Sequence, residues 1–205
     1  MQALHWAEAV SGMAGWYTSR ATVCARALVK QRWQGGGHTK VKTKCNLTLT
    51  DPVPPFDFFD GRNPVYTHAR YLPPAKLNGA RSQRVLMADG AIVDDSELNR
   101  CVIGVRSVIR GGSRLENVVM MGADSFERPQ DLAKNNSLGR PDVGVGPNCL
   151  IRNAIIDKNA RIGAGCRLAP TGLPEKWETD ALFVRDGVIV VKKGAIVPPG
   201  TVVGE

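Results

Sequence analysis

Residues 145–168 read VGPNCLIRNAIIDKNARIGAGCRL, and branched apolar residues recur at Val145, Ile151, Ile156, Ile162 and Leu168, with three steps of six and one of five. The fourth place after each of the first four holds Cys149, Ile155, Ala160 and Cys166. Upstream, Ile103, Ile109, Leu115 and Met121 keep the step of six, with Ser107, Ser113 and Val119 at the fourth place. Downstream the pattern returns at Val191, Val197 and Val203, with Ala195 and Thr201 between them. Weaker hexads start at Met87 and Val93. A period of six fits neither a helix nor a lone amphipathic strand, but it fits a parallel β-helix in which each hexad makes one short strand and one corner. Three hexads close a triangular coil with the branched residue inside, and the small residue fits where three strands converge. The count predicts four to five coils stacked at about 4.8 Å, a prism roughly 20 Å tall. Residues 123–143 and 169–187 interrupt the repeat and are expected to be loops extruded from it.

Working outward, residues 51–76 interleave Pro52, Pro54, Pro55, Pro64, Pro73 and Pro74 with aromatic residues, which fixes backbone angles and removes ladder donors. The expected organisation is an atypical basic segment over 1–44, an extended linker over 45–84 and the β-helix over 85–205. Of the net charge of +8 in 205 residues, +6 lies in the first 44, which hold seven Lys and Arg against the single Glu8. Acid-poor composition there is that of an organelle transit peptide. The remainder is nearly balanced, so no nucleic-acid partner is expected, and no apolar run approaches the roughly 18 residues of a membrane span.

The five cysteines are widely spaced with no C-x-x-C pair, which indicates buried reduced thiols rather than a disulfide framework or zinc site. His5, His38 and His68 all precede the strong repeat, so an acyltransferase with an imidazole base, or a trihistidine metal site between coils, has no candidate residues. Asp94 and Asp95 are neighbours that point to opposite faces of a strand, and are expected at a solvated corner. Arg106, Arg110 and Arg114, spaced by four on coils of six, are expected to scatter. No catalytic or metal residue is assigned.

Several strings then converge. NLTLTDPVPPFDFFD, PVYTHARYLPPAK, VIGVRS, VMMGAD, IRNAIIDKNARIG and DGVIVVKKGAIVPPGTVV occur in order over residues 45–205. Together they resemble the C-terminal part of glucose-1-phosphate adenylyltransferase (ADP-glucose pyrophosphorylase), most closely its plant, algal and cyanobacterial forms. The resemblance implies a left-handed β-helix that serves oligomer assembly and allosteric control, with 3-phosphoglycerate and phosphate as effectors. It implies a reaction, ATP plus glucose 1-phosphate giving ADP-glucose and pyrophosphate for starch or glycogen, that runs with magnesium in a catalytic domain with no counterpart here. This chain alone is therefore expected to be inactive, with no cofactor of its own. A frame-disturbed family gene is a second explanation of residues 1–44. The implied location is the plastid stroma, or the cytoplasm of a bacterium. A hexapeptide-repeat transferase working without histidine at an intersubunit cleft is the alternative reading.

Carried over residue by residue, the resemblance assigns an effector site. The lysine of DKNARIG falls on Lys158, the lysine before the small residue and alanine near the C-terminus on Lys193, and the basic residue of VRDG on Arg185. Lys158 stands two places after Ile156 and Lys193 two after Val191, the same point of a hexad. Two ammonium groups and a guanidinium near one another would hold phosphate or carboxylate through charge-assisted hydrogen bonds.

Overall fold

Each coil takes 16 or 17 residues rather than 18: Ile92 lies beside Val108, and Val145 beside Ile162. One position is lost in every such coil at the corner between the second and third faces. The second and third faces of each coil are made by one seven-residue strand that bends over the corner at a single left-handed residue: Arg84 (φ 56°), Arg100 (φ 54°), Asn117 (φ 55°) and Asn153 (φ 49°). One residue suffices where the other corners use several, and asparagine is among the side chains that tolerate this region best. A second position is lost in the 16-residue coils at the corner after the first face, where Asp95 (φ 34°) turns the chain and Leu98 follows Val93 by five. The computed structural model describes residues 38–55, 57–62 and 70–204.

The first face stacks β1 (Lys76–Asn78), β3 (Ile92–Asp94), β5 (Val108–Ile109), β7 (Gly144–Val145), β9 (Arg161–Ile162) and β14 (Ile196–Val197), all parallel. The bent strands are β2 (Arg81–Met87), β4 (Glu97–Ile103), β6 (Arg114–Met120) and β8 (Leu150–Ile156). β10 (Arg167–Leu168) and β15 (Val202–Val203) continue the second face, and β13 (Val188–Val191) the third. Two faces therefore reach six levels, above the four to five coils expected, because Leu77 and Ser82 already occupy inward positions one level before Val93 and Leu98. The prism begins at Lys76, ahead of the residue 85 read from sequence.

Ile103, Ile109, Leu115, Val145, Ile151, Ile156, Ile162, Leu168, Val191, Val197 and Val203 all point inward and are buried, as the repeat requires. Each branched side chain taken from water contributes roughly 1.5–3 kcal/mol. Two expectations are corrected. Met120, not Met121, is inward, because Asn117 turns the corner in one residue and makes that step five. For the same reason Val118 and Ala154, rather than Val119 and Ile155, fill the small inward site of the third face.

Both interruptions are structured. The first carries α2 (Pro129–Ser137), after α1 (His38–Thr48) earlier in the chain. Asn135 of α2 is fully buried: its amide donates to Glu127 Oε1 and Asp142 Oδ1 at 2.8 Å each, while its oxygen accepts from Arg140. Arg161 on β9 donates to Glu127 at 2.8 Å, and Arg110 reaches Asp142 at 3.3 Å, which ties the insert to the first face. Burial pushes the Glu127 carboxyl up, but hydrogen bonds from Asn135, the Val143 amide and Arg161 outweigh it and leave the group below the usual range.

The second interruption returns as a hairpin, β11 (Lys176–Glu178) and β12 (Leu182–Arg185), laid antiparallel on β13. β12 runs into β13 through a two-residue turn, Asp186 (φ 56°) and Gly187 (φ 71°), which has the doubly positive φ of a type I′ turn. Leu182 and Val184 point inward and are buried, and Leu173, Trp177 and Ala181 pack on the same core, so the C-terminal end is covered. At the other end Leu77 is 50% exposed, and Val85 and Met87 are half-buried. Helix α1 packs against β4 and β6 with Thr43 and Leu47 buried. Its Thr39 N–H donates to Asp186 at 3.2 Å, and Asp51 beyond its C-terminus pairs with Arg84. The helix straddles residues 44 and 45, where the sequence reading puts a boundary. The transit-like reading of residues 1–44 falls mostly on residues outside those described.

Candidate anion-binding corner

The corner from the third face to the first is built alike on successive coils. Asn159 donates its N–H to the Gly122 carbonyl at 3.0 Å, and Gly194 to the Lys158 carbonyl at 2.9 Å, so three corner turns stack directly. Because β8 and β13 are paired with Ile156 beside Val191, Lys158 and Lys193 occupy the same point on adjacent levels. Asp124, just past the corner one level below, meets Lys158 and lies within the field of Lys193. It accepts Lys158 Nζ at 2.9 Å and Asn159 Nδ2 at 2.8 Å, and its own N–H donates to Asn159 Oδ1 at 2.9 Å. The hydrogen bond from Lys158, then that from Asn159, holds the Asp124 carboxyl below its ordinary range, and the charge of Lys193 adds to the effect.

Arg185 stands elsewhere. It is opposite Val188, at the far end of β13 from Lys193, and leans over Glu178: Nη2 to Oε2 is 3.0 Å, with the guanidinium 5.5 Å from the Phe183 ring centroid. Lys192 shares Glu178 at 3.0 Å. The three assigned cations thus divide between two carboxylates, Lys158 and Lys193 around Asp124, and Arg185 with Lys192 around Glu178. Asp124 lies inside the VMMGAD string, but its partnership with Lys158 spans 34 residues and two coil corners, which no local spacing reveals. Glu178 and Lys192 likewise meet only through the hairpin.

The remaining arginines scatter. Arg106 packs over Phe126, Arg110 binds Asp142 and Arg114 pairs with Glu97 at 3.0 Å. Asp95 turns a corner at φ 34° and is exposed. Among the described residues no group of three His, Cys, Asp or Glu side chains is placed to hold a metal ion, and no helix is long and apolar enough to cross a membrane.

Residues 70–202 match the family model of the GLGC left-handed parallel β-helix domain. The chain belongs to this family. The match gives the coil its hand and identifies the prism as the β-helix of the C-terminal part of ADP-glucose pyrophosphorylase. The GLGC domain match includes all three inserted or turned segments that bear charge: the Asp124 loop, the Lys158 corner and the Glu178 hairpin.

Proposed function

We propose that this chain is the regulatory and assembly part of glucose-1-phosphate adenylyltransferase, of the plant, algal or cyanobacterial type, and that its Lys158–Lys193 corner binds the anionic effectors 3-phosphoglycerate and phosphate. One observation carries the reading: two ammonium groups on consecutive coils face one carboxylate that a phosphate could replace. Phosphate offers several acceptor oxygens where Asp124 offers two, so both lysines and Asn159 could be engaged at once. Arg185 with Lys192 forms a second cationic pair around Glu178, which an extended effector or a second anion would reach. Adenylyl transfer with magnesium and ATP belongs to the family's catalytic domain, and no step of it is assigned to this corner. Starch or glycogen synthesis, in the plastid stroma or a bacterial cytoplasm, is the corresponding setting.

Assembly is proposed through the N-terminal end of the prism, where, among the described residues, Leu77, Val85 and Met87 and an edge of β2 without a strand partner offer apolar surface and backbone donors to another subunit, identical or not. Calorimetric titration with inorganic phosphate and with 3-phosphoglycerate tests the effector site. Charge reversal by Lys158→Glu and Lys193→Glu should abolish the heat signal; unchanged affinity in both variants would remove the assignment.

A further inference from the structure

Cys149 and Cys166 fill the same inward position, at the entry to the second face, on two consecutive coils. The register pairs Leu150 with Arg167, and the Leu150 N–H donates to the Cys166 carbonyl at 2.8 Å. Their Cα atoms are thus one strand spacing apart, about 4.8 Å, inside the window of about 4.4–6.8 Å that a disulfide spans. Both side chains are buried; the Cys149 thiol donates to the Gly163 carbonyl at 3.1 Å and the Cys166 thiol to the Pro198 carbonyl at 3.2 Å. The same column holds Ser113 one level below and Thr201 one level above, so it is lined by small polar groups rather than closed by bulky ones. Cys101 is a contrast: it is buried between Val85 and Val118, and burial pushes its thiol up to about 11. The interaction of the two neighbouring thiols, then the Thr201 and Gly200 amides, favours the thiolate on Cys166, and the same interaction, with burial, disfavours it on Cys149.

We propose that Cys149 and Cys166 form a reversible disulfide site that staples two consecutive coils, closed by exchange with a small disulfide such as oxidised glutathione. The Cys166 thiolate attacks one sulfur of the glutathione disulfide, whose S–S bond breaks and releases one glutathione thiolate. Cys149 gives up its proton and attacks the Cys166 sulfur of the mixed disulfide, expelling the second glutathione. Two protein thiols are oxidised and one glutathione disulfide is reduced to two thiols. The staple would close one 17-residue coil, the one whose corner carries Lys158.

Refolding the reduced full chain in a glutathione redox buffer removes burial as a barrier to exchange. After quenching with N-ethylmaleimide, digestion and mass spectrometry should give one dominant cross-linked peptide joining Cys149 to Cys166, with the intact chain carrying two fewer maleimides than the reduced control, reversed by dithiothreitol before quenching. Cys101→Ser should leave that peptide in place. Cys149→Ser should abolish it while leaving the circular dichroism unchanged, since serine already holds the equivalent position one coil below at Ser113. Maleimide on both Cys149 and Cys166 at equilibrium, or bridges to other cysteines in equal yield, would overturn the proposal.

Discussion

Gly194 donates its backbone N–H to the carbonyl oxygen of Lys158 at 2.9 Å, so the turn that carries Lys193 rests directly on the turn that carries Lys158. The ladder bond fixes the spacing of the two ammonium groups without fixing what lies between them. Asp124 pairs with Lys158 there, and under the proposed effector site it would compete with an incoming anion. Asp124→Asn should therefore tighten inorganic phosphate binding by up to about fivefold, corresponding to roughly 1 kcal/mol for a half-exposed pair. Calorimetry checks it, and weaker binding in this variant would mean that Asp124 organises the site instead of occupying it.

The pH profile has a definite sign. Asp124, Glu127 and Glu178 all titrate below the ordinary carboxylate range in the folded chain, Glu178 through its hydrogen bond to Lys192 and then the Lys192 charge. Their folded values lie below the unfolded ones, so the stability they contribute is present above about pH 4 and is lost as pH falls through the folded values. Thermal unfolding followed by circular dichroism should give a flat Tm from near neutrality down to about pH 5 and a fall below about 4. Glu127→Gln should flatten part of that fall, and an unaltered acid limb in this variant would exclude Glu127 as a contributor.

Asn135 joins Glu127, Asp142 and Arg140 at the base of α2, fully out of water. Asn135→Leu leaves the two carboxylates and the guanidinium without their shared partner and should cost about 1–3 kcal/mol in urea unfolding. Amide exchange should rise in the insert more than in β6 or β8.

Ile151 lies at 0% exposure on the axis of the fourth coil. Ile151→Ala should lower unfolding free energy by about 2–5 kcal/mol, the range for a buried branched side chain whose neighbours cannot collapse into the gap. A loss under about 1 kcal/mol would show that the stacked coils relax toward the axis.

At the open end, Leu77→Asp together with Met87→Asp should shift the sedimentation profile toward monomer. Phe183→Asp, on the outer surface of the hairpin, should not. An unchanged assembly state in the first variant would place the contact elsewhere.

Much of the interior was legible because the repeat writes one inward residue per side, and Ile109, Ile151, Ile162 and Leu168 fall where the period of six puts them. The five-residue step from Ile151 to Ile156 marked the corner at Asn153, but the period hid the matching corner at Asn117. A turn made by one left-handed residue subtracts a position, so the reading slipped to Met121 where Met120 points inward. The interruption at residues 169–187 showed only as a gap, because a hairpin that pairs antiparallel leaves no hexad to count. Lys158 and Lys193 could be aligned by their common place after Ile156 and Val191. Which carboxylate each faced could not, since Asp124 and Glu178 arrive from inserts with no fixed spacing to the coil. Arg185 separated from the other two for the same reason: its position is set by the Asp186–Gly187 turn rather than by the repeat.

The hairpin also decides how far association can go. A stack of identical coils covered at neither end would add subunits indefinitely, as fibres do. Here Leu182, Val184 and Trp177 cover one end of the apolar axis, while at the other, among the described residues, Leu77 stays 50% exposed. Were two such prisms to meet head to head as proposed, both outward-facing ends would already be covered, and growth along that axis would stop at a pair.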